Sequence, residues 1–138
     1  MENNYLKILL VENELTSRRT LNSFLHPIGE VDICVNGNIA LTVAEKALEN
    51  NQPYELIFLD IMISNLDGIS ILKKIRQLEN QHGVKEHDNS KVIMTSANTD
   101  KDVILKAAQA GCTSYMIKPI DKKRLYNEIR KHGFNTPE

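Results

Sequence analysis

The 138-residue chain has no tryptophan, and aromatic residues make up only 5% of it. A surface that stacks nucleic-acid bases needs such rings, so direct nucleic-acid binding is not expected. The net charge of −1 exerts no bulk pull toward nucleic acid or an anionic membrane. Long apolar runs are missing too. Residues 8–11 form the apolar run near the N-terminus, far too short for a signal peptide or a membrane span. Only two cysteines occur, Cys34 and Cys112, and they make no metal or redox motif. Cys34 lies in an apolar run and Cys112 follows a glycine. Both read as small free thiols of a reducing cytoplasm. No internal repeat, domain boundary or low-complexity tract is visible.

What is present suits one globular domain. The chain is 41% hydrophobic and 25% charged, and its length allows a real core. Apolar runs alternate with amphipathic patterns. Strands are expected over residues 7–11, 30–35, 55–59, 91–95 and 114–117. The first helix spans about 14–25, with Leu21, Phe24, Leu25 and Ile28 as its stripe and Pro27 and Gly29 as its stop. Asn36-Gly37-Asn38 reads as a turn. The second helix spans 39–49, with Ala40, Val43, Ala44, Ala47 and Leu48 on one face. Gly68 opens the third, with Ile69, Leu72, Ile75 and Leu78 facing inward. Residues 80–90 read as an exposed loop, long for a compact domain: an insertion or a binding loop. Thr99 and Asp102 resemble a capping box for a helix bearing Val103, Ile104, Ala107 and Ala108, stopped by Gly111. Asp121 caps a last helix with Leu125 and Ile129.

Strand-helix repeated five times implies an α/β fold, a doubly wound five-stranded parallel sheet covered on both faces. In the order 2-1-3-4-5, ligands bind outside the carboxyl ends of the strands, in the crevice flanked by strands one and three. Leu56-Ile57-Phe58-Leu59 is an apolar run that ends in Asp60, as a strand buried on both faces ends where the chain regains water. Glu12 and Asn13 stand at the end of strand one, Ser96 after strand four and Lys118 at the end of strand five. Strand two, the outer edge, ends without charge. Two acids and an amide suit a hard cation such as Mg²⁺. Without a cation, Glu12 and Asp60 repel, and Lys118 offsets part of this. Ser96 offers a hydroxyl donor. Phosphoryl transfer asks mainly for positioning and charge neutralisation, and this set supplies both.

At these residues the chain resembles the response-regulator receiver domain of two-component signalling, a CheY-like (βα)5 fold. The resemblance covers about residues 6–131. It rests on Ile8-Leu9-Leu10-Val11-Glu12-Asn13, Leu59-Asp60-Ile61-Met62, Leu66-Asp67-Gly68, Met94-Thr95-Ser96-Ala97, Ala110-Gly111 and Tyr115-Met116-Ile117-Lys118-Pro119, in order and at the right spacing. It implies a receiver domain over 5–132, with 1–4 and 133–138 as tails. It also implies Asp60 as phosphoacceptor, and Mg²⁺ held by Glu12, Asn13, Asp60 and the backbone carbonyl of Met62. Ser96 would be the switch hydroxyl and Lys118 the phosphoryl-binding cation, with a cis bond to Pro119. Tyr115 would follow Ser96 by its rotamer, or be a plain edge-strand aromatic. The implied donor is a histidine kinase, a histidine phosphotransfer protein or a small phosphodonor. Hydrolysis of the phosphoaspartate would be partly self-catalysed, with no other enzyme activity.

Two positions depart from the family pattern. Asn13 replaces the usual second acid, which removes one negative charge. Ser64 replaces the usual proline of the loop after Asp60. The expected protein is a cytoplasmic switch that acts through contacts with an unknown target protein, with no output domain and no membrane contact. A receiver-like module that is never phosphorylated is the alternative, and Asn13 is the feature favouring it. An aspartate-nucleophile phosphatase would carry a second Asp where Met62 stands. A flavin protein would need a phosphate-cradling loop after strand one. Read singly, Asp60 could cap a loop, Glu12 and Asn13 could start a helix, Ser96 could be a turn serine and Lys118 a surface lysine. Asp67-Gly68 reads as structural. Lys122-Lys123-Arg124 reads as a solvated helix face, and the four scattered histidines have no assigned role.

Overall fold

The computed structural model describes residues 5–62 and 67–137. The tail 1–4, Ser64 and Leu66 lie outside the described residues. The strands are β1 (Leu6–Val11), β2 (Gly29–Cys34), β3 (Leu56–Asp60), β4 (Lys91–Ser96) and β5 (Ser114–Ile117). The helices are α1 (Leu15–Leu25), α2 (Gly37–Glu49), α3 (Gly68–Gln81), α4 (Lys101–Gln109) and α5 (Lys122–Lys131). The sheet is parallel throughout, in the expected order β2-β1-β3-β4-β5.

Alternate residues of each strand face opposite sides, and the core divides accordingly. Leu9, Val11, Ile57, Leu59, Val92 and Met94 pack with residues of α2, α3 and α4, among them Ala40, Ile71, Ile75 and Ala107. Ile8, Leu10, Leu56, Phe58, Ile93 and Met116 pack with Leu21 and Leu25 of α1 and Leu125, Tyr126 and Ile129 of α5. β3 is buried along its whole length, as its unbroken apolar run requires. Both cysteines are free, Cys34 buried and Cys112 partly so. Burial raises both thiol pKa values above their ordinary level.

Several local expectations need correction. Asn36 is not part of a free turn. Its side chain accepts the Ile39 N–H at 2.9 Å and caps α2, which starts at Gly37. The capping residue of α4 is Asp100, which accepts the Asp102 N–H at 2.9 Å, rather than Thr99. On α4 only Ala107 is buried, while Ala108 is exposed. α3 runs on to Gln81, and the residue it buries near its end is Glu79, not Leu78. The stretch 80–90 is mostly exposed, as expected, but its first two residues are helical and its end is anchored. It contains a short 3-10 turn (Glu86–Asp88) and closes on the buried Ser90, whose N–H donates to Glu79 Oε2 at 2.7 Å. Residues 133–137, within the tail expected after 132, also make contacts. Phe134 packs against the α1/α5 side of the core, and Arg130 donates to Thr136 Oγ1 at 2.6 Å.

Candidate functional site

Asp60 is the last residue of β3 and is 5% exposed. The chain turns sharply after it. Ile61 N–H donates to the Thr95 carbonyl at 3.0 Å, Gly68 N–H donates to the Ile61 carbonyl at 2.7 Å, and Met62 bridges Asp67. A Cβ at Gly68 would collide with the Asp60 carbonyl and the Ile61 Cα. Only glycine lets α3 begin this close to the strand end. Asp67 then caps α3 by accepting the Ser70 N–H at 2.8 Å. This Asp67-Gly68 pair is structural, as read from the sequence.

The distant acids and the lysine meet here. Lys118 Nζ donates to Glu12 Oε1 at 2.7 Å and to Asp60 Oδ2 at 3.1 Å. The other oxygens are also used: Glu12 Oε2 accepts the Glu14 N–H at 3.1 Å, and Asp60 Oδ1 accepts the Met62 N–H at 3.0 Å. Glu12 is fully buried. Burial, with the Asp60 carboxylate beside it, raises its pKa, and the Lys118 and Glu14 donors only partly oppose this. For Lys118, burial acts to lower the pKa, but its bonds to Glu12 and Asp60 outweigh burial and the net shift is upward. The ammonium is therefore firmly charged. Its backbone is set by the Lys118 N–H to the Ser96 carbonyl at 2.8 Å and by a cis bond to Pro119.

Ser96 is 2% exposed and ends β4. Register places Thr95 opposite Asp60, so Ser96 stands one residue beyond it. Its Oγ accepts the Asn98 N–H at 2.9 Å, and Tyr115 OH donates to the Asn98 carbonyl at 2.9 Å. The backbone of one residue, Asn98, thus links the Ser96 hydroxyl to Tyr115. Asn13 is exposed, and among the described residues its side chain has no hydrogen-bond partner. Met62 is 71% exposed.

The donor set suits a hard divalent cation. Two carboxylates already converge on one cation, the Lys118 ammonium. The Asn13 amide and the Met62 carbonyl stand on the two connections that carry these acids. Oxygen-only ligation with room for water is what Mg²⁺ takes. Among the described residues no group of three or more His, Cys, Asp or Glu side chains could hold a metal, so an amide and a carbonyl would have to complete the set.

Sequence reasoning missed the supporting groups. Arg18 of α1 donates to the carbonyls of Glu12 and Asn13 at 3.4 and 3.3 Å. Glu12 and Asn13 precede α1, so no helical spacing signals this contact. Asn98 acts through its backbone and leaves no sequence signal.

Comparison with known proteins gives the family. The model of the response regulator receiver domain matches residues 8–130. The chain is 31% identical over 130 residues to hybrid signal transduction histidine kinase L of Dictyostelium discoideum, covering 94% of the chain and 7% of that protein. It is 34% identical over 125 residues to the response regulator ArlR of Staphylococcus saprophyticus, covering 90% of the chain and 50% of that protein. The chain therefore spans half or less of these curated relatives. Among solved structures, the receiver domain of sensor histidine kinase PA1611 from Pseudomonas aeruginosa superposes with a TM-score of 0.75 at 26% identity, covering 92% of this chain and 96% of that one. That protein has a magnesium ion coordinated in its active-site cleft.

Proposed function

The chain belongs to the response regulator receiver domain family of two-component signalling, and from that premise we propose that Asp60 accepts a phosphoryl group and thereby switches a protein-interaction surface. The family is a phosphoacceptor switch rather than a conventional enzyme. The observation that carries the proposal is the single ammonium of Lys118 held between the carboxylates of Glu12 and Asp60. It bridges the two acids, and it is placed to meet the charge of an incoming phosphoryl group.

Asp60 Oδ2 attacks the phosphorus of the donor, and the bond from phosphorus to the donor's leaving atom breaks. The acyl phosphate so formed carries new charge and acceptor oxygens. Lys118 moves from the carboxylate to a phosphoryl oxygen, and the Ser96 hydroxyl donates to another. Glu12, Asn13, Asp60 and the Met62 carbonyl would hold Mg²⁺, which when bound neutralises phosphoryl-oxygen charge. Turning the Ser96 hydroxyl toward the phosphoryl group gives up its acceptor bond from the Asn98 N–H. The Asn98 backbone is also held, through its carbonyl, by Tyr115, so the change passes to Tyr115 and to the start of α4.

The proposed functional unit is 5–132. Its donors are a histidine kinase, a histidine phosphotransfer protein or a small phosphodonor, and its output is contact with a target protein. The hydrolysis of the phosphoaspartate is partly self-catalysed. The setting proposed is the cytoplasm; no helix among the described residues is long and apolar enough to cross a membrane. A second reading, a module that is never phosphorylated, is favoured only by Asn13. Incubation with acetyl phosphate and Mg²⁺, followed by intact mass measurement, decides between them. A phosphoryl adduct on the wild type that is absent from Asp60→Asn supports the switch. No adduct on the wild type removes it.

A further inference from the structure

Outside the site, the densest polar cluster joins α3 to the far side of the sheet. The Arg76 guanidinium reaches two other segments and its own helix. Nε donates to the Gly111 carbonyl at 2.9 Å, Nη1 to the Ser90 carbonyl at 2.8 Å and to Glu79 Oε1 at 2.8 Å, and Nη2 to Thr113 Oγ1 at 3.5 Å. Both partners of the ion pair are largely buried, with side chains 17% and 6% exposed. Glu79 also accepts the Ser90 N–H, and Ser90 Oγ donates to the Tyr54 carbonyl. A buried carboxylate satisfied this fully is a fixed point rather than a solvated charge.

The position of that fixed point matters. Gly111 follows α4 and has φ +100°, and a Cβ there would press on Arg76 Cγ at 3.2 Å. Thr113 leads into β5, its N–H donating to the Val92 carbonyl at 2.8 Å while its Oγ1 accepts the Val92 N–H at 2.9 Å. The C-terminal end of α4 and the start of β5 are thus tied to α3. The other end of α4 is held less firmly, with Val103 packing only part-buried against the core. Residues 97–100 are exposed, the single buried residue of the helix is Ala107 in its last turn, and Leu105 is 55% exposed. The loosely held end is also the one linked to the site, through Asn98.

We propose that Arg76 is the fixed end of the switch, pinning the C-terminal end of α4 and the start of β5 to α3, so that change begun at Ser96 reaches Tyr115 and residues 97–105 but not 106–114. The pinning stands on geometry alone, whereas the confinement rests on the phosphoacceptor reading above. A guanidinium can meet several fixed acceptors at once. An ammonium in the same place cannot span them, so Arg76→Lys keeps the charge beside Glu79 and releases the tie.

Hydrogen–deuterium exchange on the full chain separates the two parts. In the resting wild type, amides of 110–114 should exchange about tenfold or more slowly than those of 101–105. In Arg76→Lys that difference should shrink severalfold, while amides of β1 keep their wild-type rates. An unchanged difference in the variant overturns the pinning. Beryllofluoride with Mg²⁺, a mimic of the phosphoryl group, should alter exchange of 97–105 in the wild type and extend to 106–114 only in the variant. A change spread evenly over 97–114 in the wild type overturns the confinement. No change at all in the wild type overturns both the phosphoacceptor reading and the confinement, and the pinning then stands or falls on the resting comparison.

Discussion

Lys118 Nζ lies closer to Glu12 than to Asp60, 2.7 Å against 3.1 Å. One ammonium therefore holds two carboxylates from β1 and β3 and leans toward the more buried of them. Lysine is a compact point charge with rotatable donors, so it can leave Asp60 for a phosphoryl oxygen without leaving the site. Two consequences of opposite sign follow for Lys118→Met. The rate of phosphorylation from acetyl phosphate should fall on the order of 100-fold, as when one aimed donor is lost from a charge-stabilising site. Mg²⁺ should bind more tightly, because a competing cation is gone. Calorimetric titration alongside the rate measurement checks both. A variant that loses rate and metal affinity together would show that the lysine merely holds the fold.

The raised pKa of Glu12 makes a prediction for stability. A carboxyl whose folded-state pKa lies above its unfolded value of 4.5 binds more protons folded than unfolded across that window. Stability therefore falls as pH rises from 4.5 through the raised value, and levels off above it. With a chelator present, the wild-type thermal midpoint should drop between pH 4.5 and neutrality by more than that of Glu12→Gln, which has no proton to lose. Adding Mg²⁺ at neutral pH should restore part of the loss, since the metal binds only the ionised form. Parallel curves for the two proteins would count against the assignment.

Gly68 tests the tight turn that presents Asp60. A methyl group there meets backbone on two sides, the Asp60 carbonyl and the Ile61 Cα, and backbone cannot swing aside as a side-chain tip can. Gly68→Ala should destabilise the fold by about 1–3 kcal/mol, the usual range for overpacking. It should also slow phosphorylation, because the strand end itself must shift. Urea unfolding and the acetyl phosphate rate give the two readouts. Loss of stability at a wild-type rate would mean that the turn supports α3 without setting Asp60.

Much of this was legible in the amino-acid order because the physics involved is local or periodic. Residues 56–59 can be apolar throughout only in a strand covered on both faces, and Asp60 marks where cover ends. The polar residues at the ends of β1, β3, β4 and β5 then meet because parallel strands bring those ends to one edge. What escaped was non-local. Glu79 interrupts the apolar stripe of α3, and nothing in its neighbours reveals that Ser90 and Arg76 satisfy it inside. Helical spacing puts Ala108 inward with Ala107, yet alanine is at home on either face, and Ala108 is exposed. Asp100 and Thr99 are both competent caps, and only the path of the chain after Ser96 selects between them. Asn98 joins Ser96 to Tyr115 through its backbone N–H and carbonyl, and contributes no side chain to the link.

Asn13 is where the chain departs from its family, and the departure can be measured. The Asn13 side chain is exposed and unpaired among the described residues, so aspartate can replace it with little effect on the fold. The replacement adds one negative charge near a divalent cation. At a separation of about 4 Å in water-like surroundings, that attraction contributes about 1–2 kcal/mol. Asn13→Asp should therefore bind Mg²⁺ roughly tenfold more tightly. If metal occupancy limits phosphorylation, the variant should gain rate at low Mg²⁺ and converge with the wild type at saturating Mg²⁺. A wild type that takes up phosphate only slowly at any Mg²⁺ concentration, and a variant that does not, would locate the defect in the chemistry rather than in binding. Equal affinity in titration would show that position 13 lies outside the metal's reach, leaving Glu12, Asp60 and the Met62 carbonyl to hold it.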